Sequence, residues 1–184
     1  MATAMAVCGR LGWRASYVGS FGDDRRGTDA RSALERDGVD ISACRVVAAP
    51  QAYSLILVDD LGRRTVFWNR APILNMTSGQ VGRSAVTAGR VLLVDCHQTE
   101  GAAQAAGYAR RAGIPTIIDV EKRRPRIEAL LSEIDLLITA RTFPEEFTGV
   151  SGVGAALAAL AREFRPTLVC ATLGSEGSLA IVGG

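Results

Sequence analysis

From Val91 to Ala171 the sequence repeats one pattern, in which short apolar runs alternate with helix-forming segments. The apolar runs are Val91–Val94, Pro115–Ile118, Leu136–Thr139 and Thr167–Ala171. Short apolar runs without alternation are typical of strands that are buried on both faces of a sheet. Helices between such strands indicate parallel pairing, because each parallel connection has to cross back over the sheet. The pattern therefore predicts an α/β fold with a doubly wound, mainly parallel sheet.

The segments between these runs are predicted to be helices over 101–112, 126–132, 144–148 and 153–164. Residues 1–11 also read as a helix, and because it has almost no polar face we expect it to be buried. A further helix is expected from about Thr28 to Arg36, with Asp23 or Asp24 at its start as a cap rather than as a paired acid site.

Residues 45–70 have no helical period and contain three strand-like runs, at 45–49, 53–58 and 64–68. The last two are separated by Asp59–Gly62, which predicts a β-hairpin. We expect these strands to form a small sheet that projects from the main domain. Its aromatic residues, Tyr53, Phe67 and Trp68, give an exposed apolar surface, which is a reason to expect a partner.

The length, the net charge and the cysteine and histidine counts argue against several classes of protein. At 184 residues the chain is one domain or most of one, and a net charge of +2 gives no argument for nucleic-acid binding. The four cysteines have no CxxC spacing and there is one histidine, so we expect no zinc site. Neither a membrane span nor a signal peptide is expected, and the predicted location is the cytoplasm.

Polar side chains stand where the predicted strands end. They are Asp95, His97, Asp119, Glu121, Thr139 and Thr172. The carboxyl ends of parallel strands face one crevice, where ligands of α/β folds bind, although a single acid there is often only a helix cap. The stretch Thr172–Ser178 is either a hairpin turn between two strands or an edge where glycines let a nucleotide approach the backbone. The sequence has no P-loop motif, which excludes a P-loop NTPase, and no complete Rossmann fingerprint, which disfavours an oxidoreductase.

Taken in order, these motifs resemble the ribokinase-like (PfkB) carbohydrate kinases along the whole chain. The matching stretches are Cys8–Gly12, Val18–Asp24 with Gly27, Asp37–Asp40, Gly62–Thr65, Asp119–Lys122 and Thr172–Ser178. Within the family, Val94–Gln98 and Asp119–Lys122 are most similar to the ketohexokinase-like branch.

The resemblance implies a ribokinase-like, three-layer doubly wound sheet with a β-sheet lid, and transfer of the γ-phosphoryl group of ATP, with Mg²⁺, to a sugar hydroxyl. It places Thr3, Arg64, Asp95 and His97 at the sugar, with Arg64 also near the transferring phosphate. It places Thr172, Gly174 and Gly177 at the nucleotide. The lid is expected to form a homodimer contact, as in many members of the family.

The sequence also departs from the family pattern. Thr3 stands where the family has a sugar-binding asparagine, and Ala140–Phe143 lacks both functional residues of the N-x-x-E motif. The family's GAGD motif, which carries the catalytic aspartate, is expected beyond Gly184, so the chain is expected to be an incomplete kinase domain, inactive alone. The alternative is a kinase-derived module that binds a sugar or nucleotide without turnover.

Overall fold

The structure is a computed structural model that describes residues 1–183 and divides into two compact units, Met1–Met76 and the residues from Thr77 onward. The elements of the first unit are α1 (Ala2–Arg10), β1 (Ala15–Ser16), β2 (Ser20–Gly22), α2 (Arg25–Arg36), β3 (Val39–Asp40), β4 (Arg45–Val47), β5 (Tyr53–Val58) and β6 (Arg64–Asn69). Strand β1 pairs with β3 and β2 with β4, both in parallel, and β5 pairs with β6 in antiparallel fashion. The expectation that the runs at 45–49, 53–58 and 64–68 form one small sheet is therefore wrong for the first run, because β4 pairs with β2 and leaves β5 and β6 as a two-stranded sheet.

Helix α2 begins at Arg25, three residues before the predicted start. Asp24 is its N-cap, and the Asp24 carboxylate accepts a hydrogen bond from the Gly27 amide at 2.9 Å. This bond satisfies an amide that the first turn would otherwise leave unpaired, which confirms the predicted capping role. Gly27 has a steric reason to be glycine, since a Cβ there would lie 2.0 Å from the carbonyl oxygen of Gly22.

Helix α1 forms as predicted, but the expectation that it is buried is wrong. None of its residues is fully buried, and Val7 is 49% exposed. The helix packs on β1, β3 and α2 with one side only. Because alanine tolerates solvent at little cost, the lack of a polar face did not require burial all round.

The second unit has the predicted alternation of strands and helices. Its elements are α3 (Arg83–Thr87), β7 (Leu92–Asp95), α4 (Thr99–Arg111), β8 (Thr116–Val120), α5 (Ile127–Leu131), β9 (Leu136–Ala140), α6 (Phe143–Thr148), α7 (Val153–Phe164), β10 (Leu168–Thr172) and β11 (Ser178–Val182). The sheet order is β11-β10-β9-β8-β7, with all neighbours parallel except the antiparallel pair β10–β11. The fold is therefore α/β with a mainly parallel sheet.

One face of this sheet carries the core of the second unit. Alternate strand residues, such as Ile118, Leu137 and Val169, are almost fully buried among α-helical side chains that include Phe143 and Leu160. Cys96 also belongs to this core, while Cys8 and Cys170 are half-buried. None of the helices between residues 1 and 183 is long and apolar enough to cross a membrane.

Candidate active site

The carboxyl ends of β7, β8, β9 and β10 lie along one edge of the sheet in the second unit. The register aligns Asp95 with Asp119, Val120 with Thr139, and Ala140 with Thr172. Asp95, Asp119 and Thr172 therefore lie along one edge, whereas the Thr139 side chain is fully buried on the core face of the sheet. Ligands of parallel α/β sheets bind at such an edge, because the loops that leave the strands can be shaped for a ligand there.

Asp95 and Asp119 are direct neighbours on adjacent strands and point to the same face of the sheet. Glu121 follows two residues after Asp119 and continues the same face beyond the strand end. Partial burial raises the pKa of the Asp119 carboxyl, and the nearby carboxylates of Glu121 and Asp95 raise this pKa further. A row of carboxylates in this position is suited to accept hydrogen bonds from hydroxyl groups of a ligand.

The turn from β7 into α4 fixes the position of Asp95. Its Oδ1 accepts a hydrogen bond from the backbone amide of His97 at 2.9 Å. Cys96, between the two, is buried and anchors the turn in the core, whereas His97 is exposed. The predicted pair Asp95 and His97 thus lies together on one short turn.

Thr172 is the last residue of β10, and Gly174 and Gly177 lie in the connection to β11, which is a hairpin with a 3-10 turn over Gly174–Glu176. The Thr172 hydroxyl donates to the carbonyl oxygen of Thr139 at 3.2 Å. Gly177 has φ of 88° and ψ of −129°, a conformation that only glycine adopts readily. A Cβ at Gly174 or Gly177 would meet no atom within 4 Å, so both backbones are open to an approaching ligand.

An ion pair links the hairpin to the strand beside it. The guanidinium group of Arg141 binds the carboxylate of Glu176, which lowers the pKa of Glu176 and raises that of Arg141. Arg141 follows β9 directly and lies inside the Ala140–Phe143 stretch. It is a polar contact of this edge that the sequence interpretation did not identify, and its position immediately after a predicted strand was the available signal.

The first unit contains a cavity of about 330 Å³ that Thr3 lines. The lining also includes Tyr17 and the acid Asp37, and three further polar residues, Ser20, Gln51 and Arg70. Sequence reasoning did not identify these three, because they are distant in the chain and no motif joins them. The remaining predicted residue, Arg64, begins β6 at the turn end of the β5–β6 hairpin and does not line this cavity.

The hairpin of β5 and β6 exposes all of its residues on both faces. Its large apolar side chains include Leu55 and Phe67 on one face and Ile56 and Trp68 on the other, each 51–69% exposed. At its base, the Arg26 guanidinium stacks 4.7 Å from the centre of the Tyr53 ring.

The glycine hairpin fits a nucleotide, because open backbone and a hydroxyl lie together at the carboxyl edge. The described residues offer fewer ligands for a magnesium ion. Within residues 1–183 no three His, Cys, Asp or Glu side chains come close enough together to hold a metal. Magnesium is usually held by one or two carboxylates and by substrate phosphates, so the protein alone would not form the complete site.

Comparison with known proteins gives consistent results. The sequence model of the pfkB family of carbohydrate kinases matches residues 1–184. An ATP-dependent ribose-1-phosphate kinase of Halopiger xanaduensis is 35% identical over 115 residues, which are 59% of this chain and 37% of that protein.

Solved structures resemble the whole fold. A protein from Agrobacterium tumefaciens, provisionally named a ribokinase, superposes with a TM-score of 0.89 and 26% identity over 99% of this chain and 60% of its own. A provisionally named ribokinase II from E. coli, solved with ATP and Mg²⁺, superposes with a TM-score of 0.82 and 17% identity, over 99% of this chain and 64% of its own. The chain thus spans about two fifths of the curated relative and about three fifths of these solved proteins.

Proposed function

The chain belongs to the pfkB family of carbohydrate kinases, and we propose that the intact protein transfers the γ-phosphoryl group of ATP to a hydroxyl of a sugar or sugar derivative. The observation that carries this proposal is the carboxyl edge of the sheet in the second unit. It combines a row of carboxylates, Asp95 and Asp119, with an open glycine hairpin at Gly174–Gly177. Phosphoryl transfer depends mainly on positioning and charge, which such an edge can supply.

In this proposal Asp95 accepts hydrogen bonds from sugar hydroxyls, and His97 lines the same subsite. Thr172, Gly174 and Gly177 contact the nucleotide through a hydroxyl and unobstructed backbone. Thr3 and Arg64 are also assigned to the sugar, on the resemblance to the family alone. We assign no catalytic base within the chain.

Magnesium would be carried by the phosphates of ATP and would supply charge neutralisation there. The substrate is proposed to contain a ribose unit. The two relatives at 26% and 35% identity are named for ribose or ribose 1-phosphate. Placement in the ketohexokinase-like branch stays a proposal that rests on Val94–Gln98 and Asp119–Lys122.

We also propose that the β5–β6 hairpin covers the sugar as a lid and contacts the same hairpin of a second copy. A lone two-stranded hairpin is marginally stable in water, and this one exposes apolar side chains on both faces. Light scattering on the full-length protein tests this, since Phe67→Glu should convert a dimer to a monomer. A wild-type monomer at high concentration would contradict it.

A second candidate function is binding without turnover. Two observations favour it: Thr3 replaces the asparagine of the family pattern, and Ala140–Phe143 has neither functional residue of N-x-x-E. Calorimetry that detects sugar and ATP binding, together with an absence of product, would support this candidate.

The deciding experiment expresses the full reading frame and measures ADP release with MgATP over a panel of pentoses, ketoses, nucleosides and sugar phosphates. We expect at least one ribose-containing compound to stimulate ADP release well above the rate without sugar. If every compound leaves that rate unchanged, the kinase proposal is wrong.

A further inference from the structure

The ion pair between Arg141 and Glu176 places a guanidinium group beside the glycine hairpin of the second unit. Glu176 ends the 3-10 turn at Gly174–Glu176, and Nη1 of Arg141 donates to its Oε1. We propose that Arg141 releases this carboxylate when a nucleotide binds and donates instead to the phosphate oxygens of the nucleotide. The inference rests on the nucleotide role proposed above for the hairpin, and it adds the residue that recognises the phosphates.

The sheet register brings Arg141 to this position. Arg141 follows β9 directly, and the residue before it, Ala140, is aligned with Thr172 at the end of β10. The Thr172 hydroxyl donates to the carbonyl oxygen of Thr139 at 3.2 Å, which ties the two strand ends together. All of these residues belong to the second unit. The backbone therefore fixes the root of the Arg141 side chain next to the strand that leads into the hairpin.

The hairpin itself supplies no positive charge for a phosphate. The stretch Thr172–Ser178 contains one charged side chain, Glu176, and this charge is negative. A phosphate that approaches the open backbone at Gly174 would therefore be repelled by an unpaired Glu176. Arg141 is the cation whose contact with this turn the structure shows, and its planar fork of N–H groups matches the oxygens of a phosphate.

Exchanging Glu176 for a phosphate would cost little. The two side chains are 55% and 62% exposed, and ion pairs between exposed side chains contribute little to stability. Among residues 1–183 this guanidinium makes one hydrogen bond, through Nη1, so its other N–H groups are available to a ligand. Glu145 is the other acid near enough to act on Arg141, and its carboxylate accepts a hydrogen bond from the Gly152 amide.

The test measures binding to the full-length protein by calorimetry without sugar, with MgATP and adenosine as probes. Arg141→Met should weaken MgATP binding about 10-fold and leave adenosine binding unchanged, because adenosine has no phosphate to contact. Arg141→Lys, which keeps the charge but loses the planar fork, should fall between Arg141→Met and the wild type. The matched control is Arg162→Met, an exposed arginine in the last turn of α7, and it should bind both probes as the wild type does.

Two variants of Glu176 separate a phosphate contact from a purely structural ion pair. If Arg141 contacts the phosphates, Glu176→Gln should bind MgATP at least as tightly as the wild type, because it removes both a competitor and a repelling charge. The double variant Arg141→Met/Glu176→Gln should then stay as weak as Arg141→Met. A structural ion pair requires the opposite result for Glu176→Gln, namely a loss equal to that of Arg141→Met.

That equal loss would overturn the inference. So would recovery of MgATP binding in the double variant, because Arg141 would then act only by neutralising Glu176. Unchanged MgATP binding in Arg141→Met would refute the inference and leave the kinase function standing wherever ADP release is observed. Conversely, MgATP binding that depends on Arg141, without ADP release for any sugar of the panel, would refute the kinase function alone.

Discussion

Replacing Asp95 by asparagine tests the carboxylate row with a change that removes a charge and preserves shape. The Oδ1 of asparagine can still accept from the His97 amide, which Asp95 does at 2.9 Å, so the turn from β7 into α4 should persist. The substitution removes the negative charge of the side chain, which would strengthen a hydrogen bond from a sugar hydroxyl. Hydrogen bonds to charged groups contribute about 1.5–3 kcal/mol, so kcat/KM for the sugar should fall about 10- to 150-fold.

The same substitution should also change the titration of the neighbouring carboxylate. Asp95 is aligned with Asp119 on the next strand, and its charge is one of the causes that raise the pKa of Asp119. Removing one of two neighbouring like charges relieves the repulsion between them, so the pKa of Asp119 should be lower in Asp95→Asn than in the wild type.

The assay is steady-state ADP release by the full-length protein, with sugar and ATP varied in turn. The KM for ATP should change little, because the nucleotide is assigned to the β10–β11 hairpin. Glu163→Gln, a carboxylate-to-amide change on the exposed side of α7, is the matched control. Unchanged sugar kinetics in Asp95→Asn would refute the assignment, and so would an equal rise in the KM of both substrates.

Three further predictions concern stability and reactivity. The pKa of Asp119 is raised in the folded state, so the protonated carboxyl stabilises the folded protein. This stabilisation is fully present below the unfolded pKa near 3.8 and is lost as pH rises through the folded pKa. Asp119→Asn should therefore melt higher than wild type at pH 7 but not at pH 3, and parallel melting curves would contradict this. Burial raises the pKa of the Cys44 thiol to about 11, so it should react with a thiol reagent at pH 8 far more slowly than in the unfolded protein. Phe143→Ala empties a fully buried site and should cost about 3–5 kcal/mol in urea unfolding; a loss below 1 kcal/mol would show that the core refills.

Elements with local signals were predictable from sequence. Helix α7 spans Val153–Phe164 as predicted, since Gly152 and Pro166 bound an unbroken apolar pattern. The capping role of Asp24 was also predictable, because aspartate before a helix has a direct chemical use. A hairpin was one of the two interpretations of the stretch between β10 and β11; the structure has a hairpin there, and its nucleotide role stays a prediction.

Features that depend on distant segments were not predictable. The burial of α1 was misjudged because composition does not show how many neighbours a helix packs against. The cavity residues Gln51 and Arg70 come from different loops and converge only after folding. Ion pairs such as Arg141 with Glu176 join residues 35 positions apart, a separation at which sequence carries no geometric information.

The attachment of the β5–β6 hairpin has a mechanical consequence. Strand β5 begins at Tyr53 and β6 ends at Asn69, while the residues just outside them, Ala52 and Arg70, line the cavity. The hairpin is thus attached to the rest of its unit at the wall of the cavity, and a tilt would pivot there. Six strand residues extend about 20 Å, so a tilt of about 10° moves the tip ~3.5 Å while its roots shift by tenths of an ångström. A ligand that shifts the cavity wall slightly would therefore cause a much larger displacement at the tip of the hairpin.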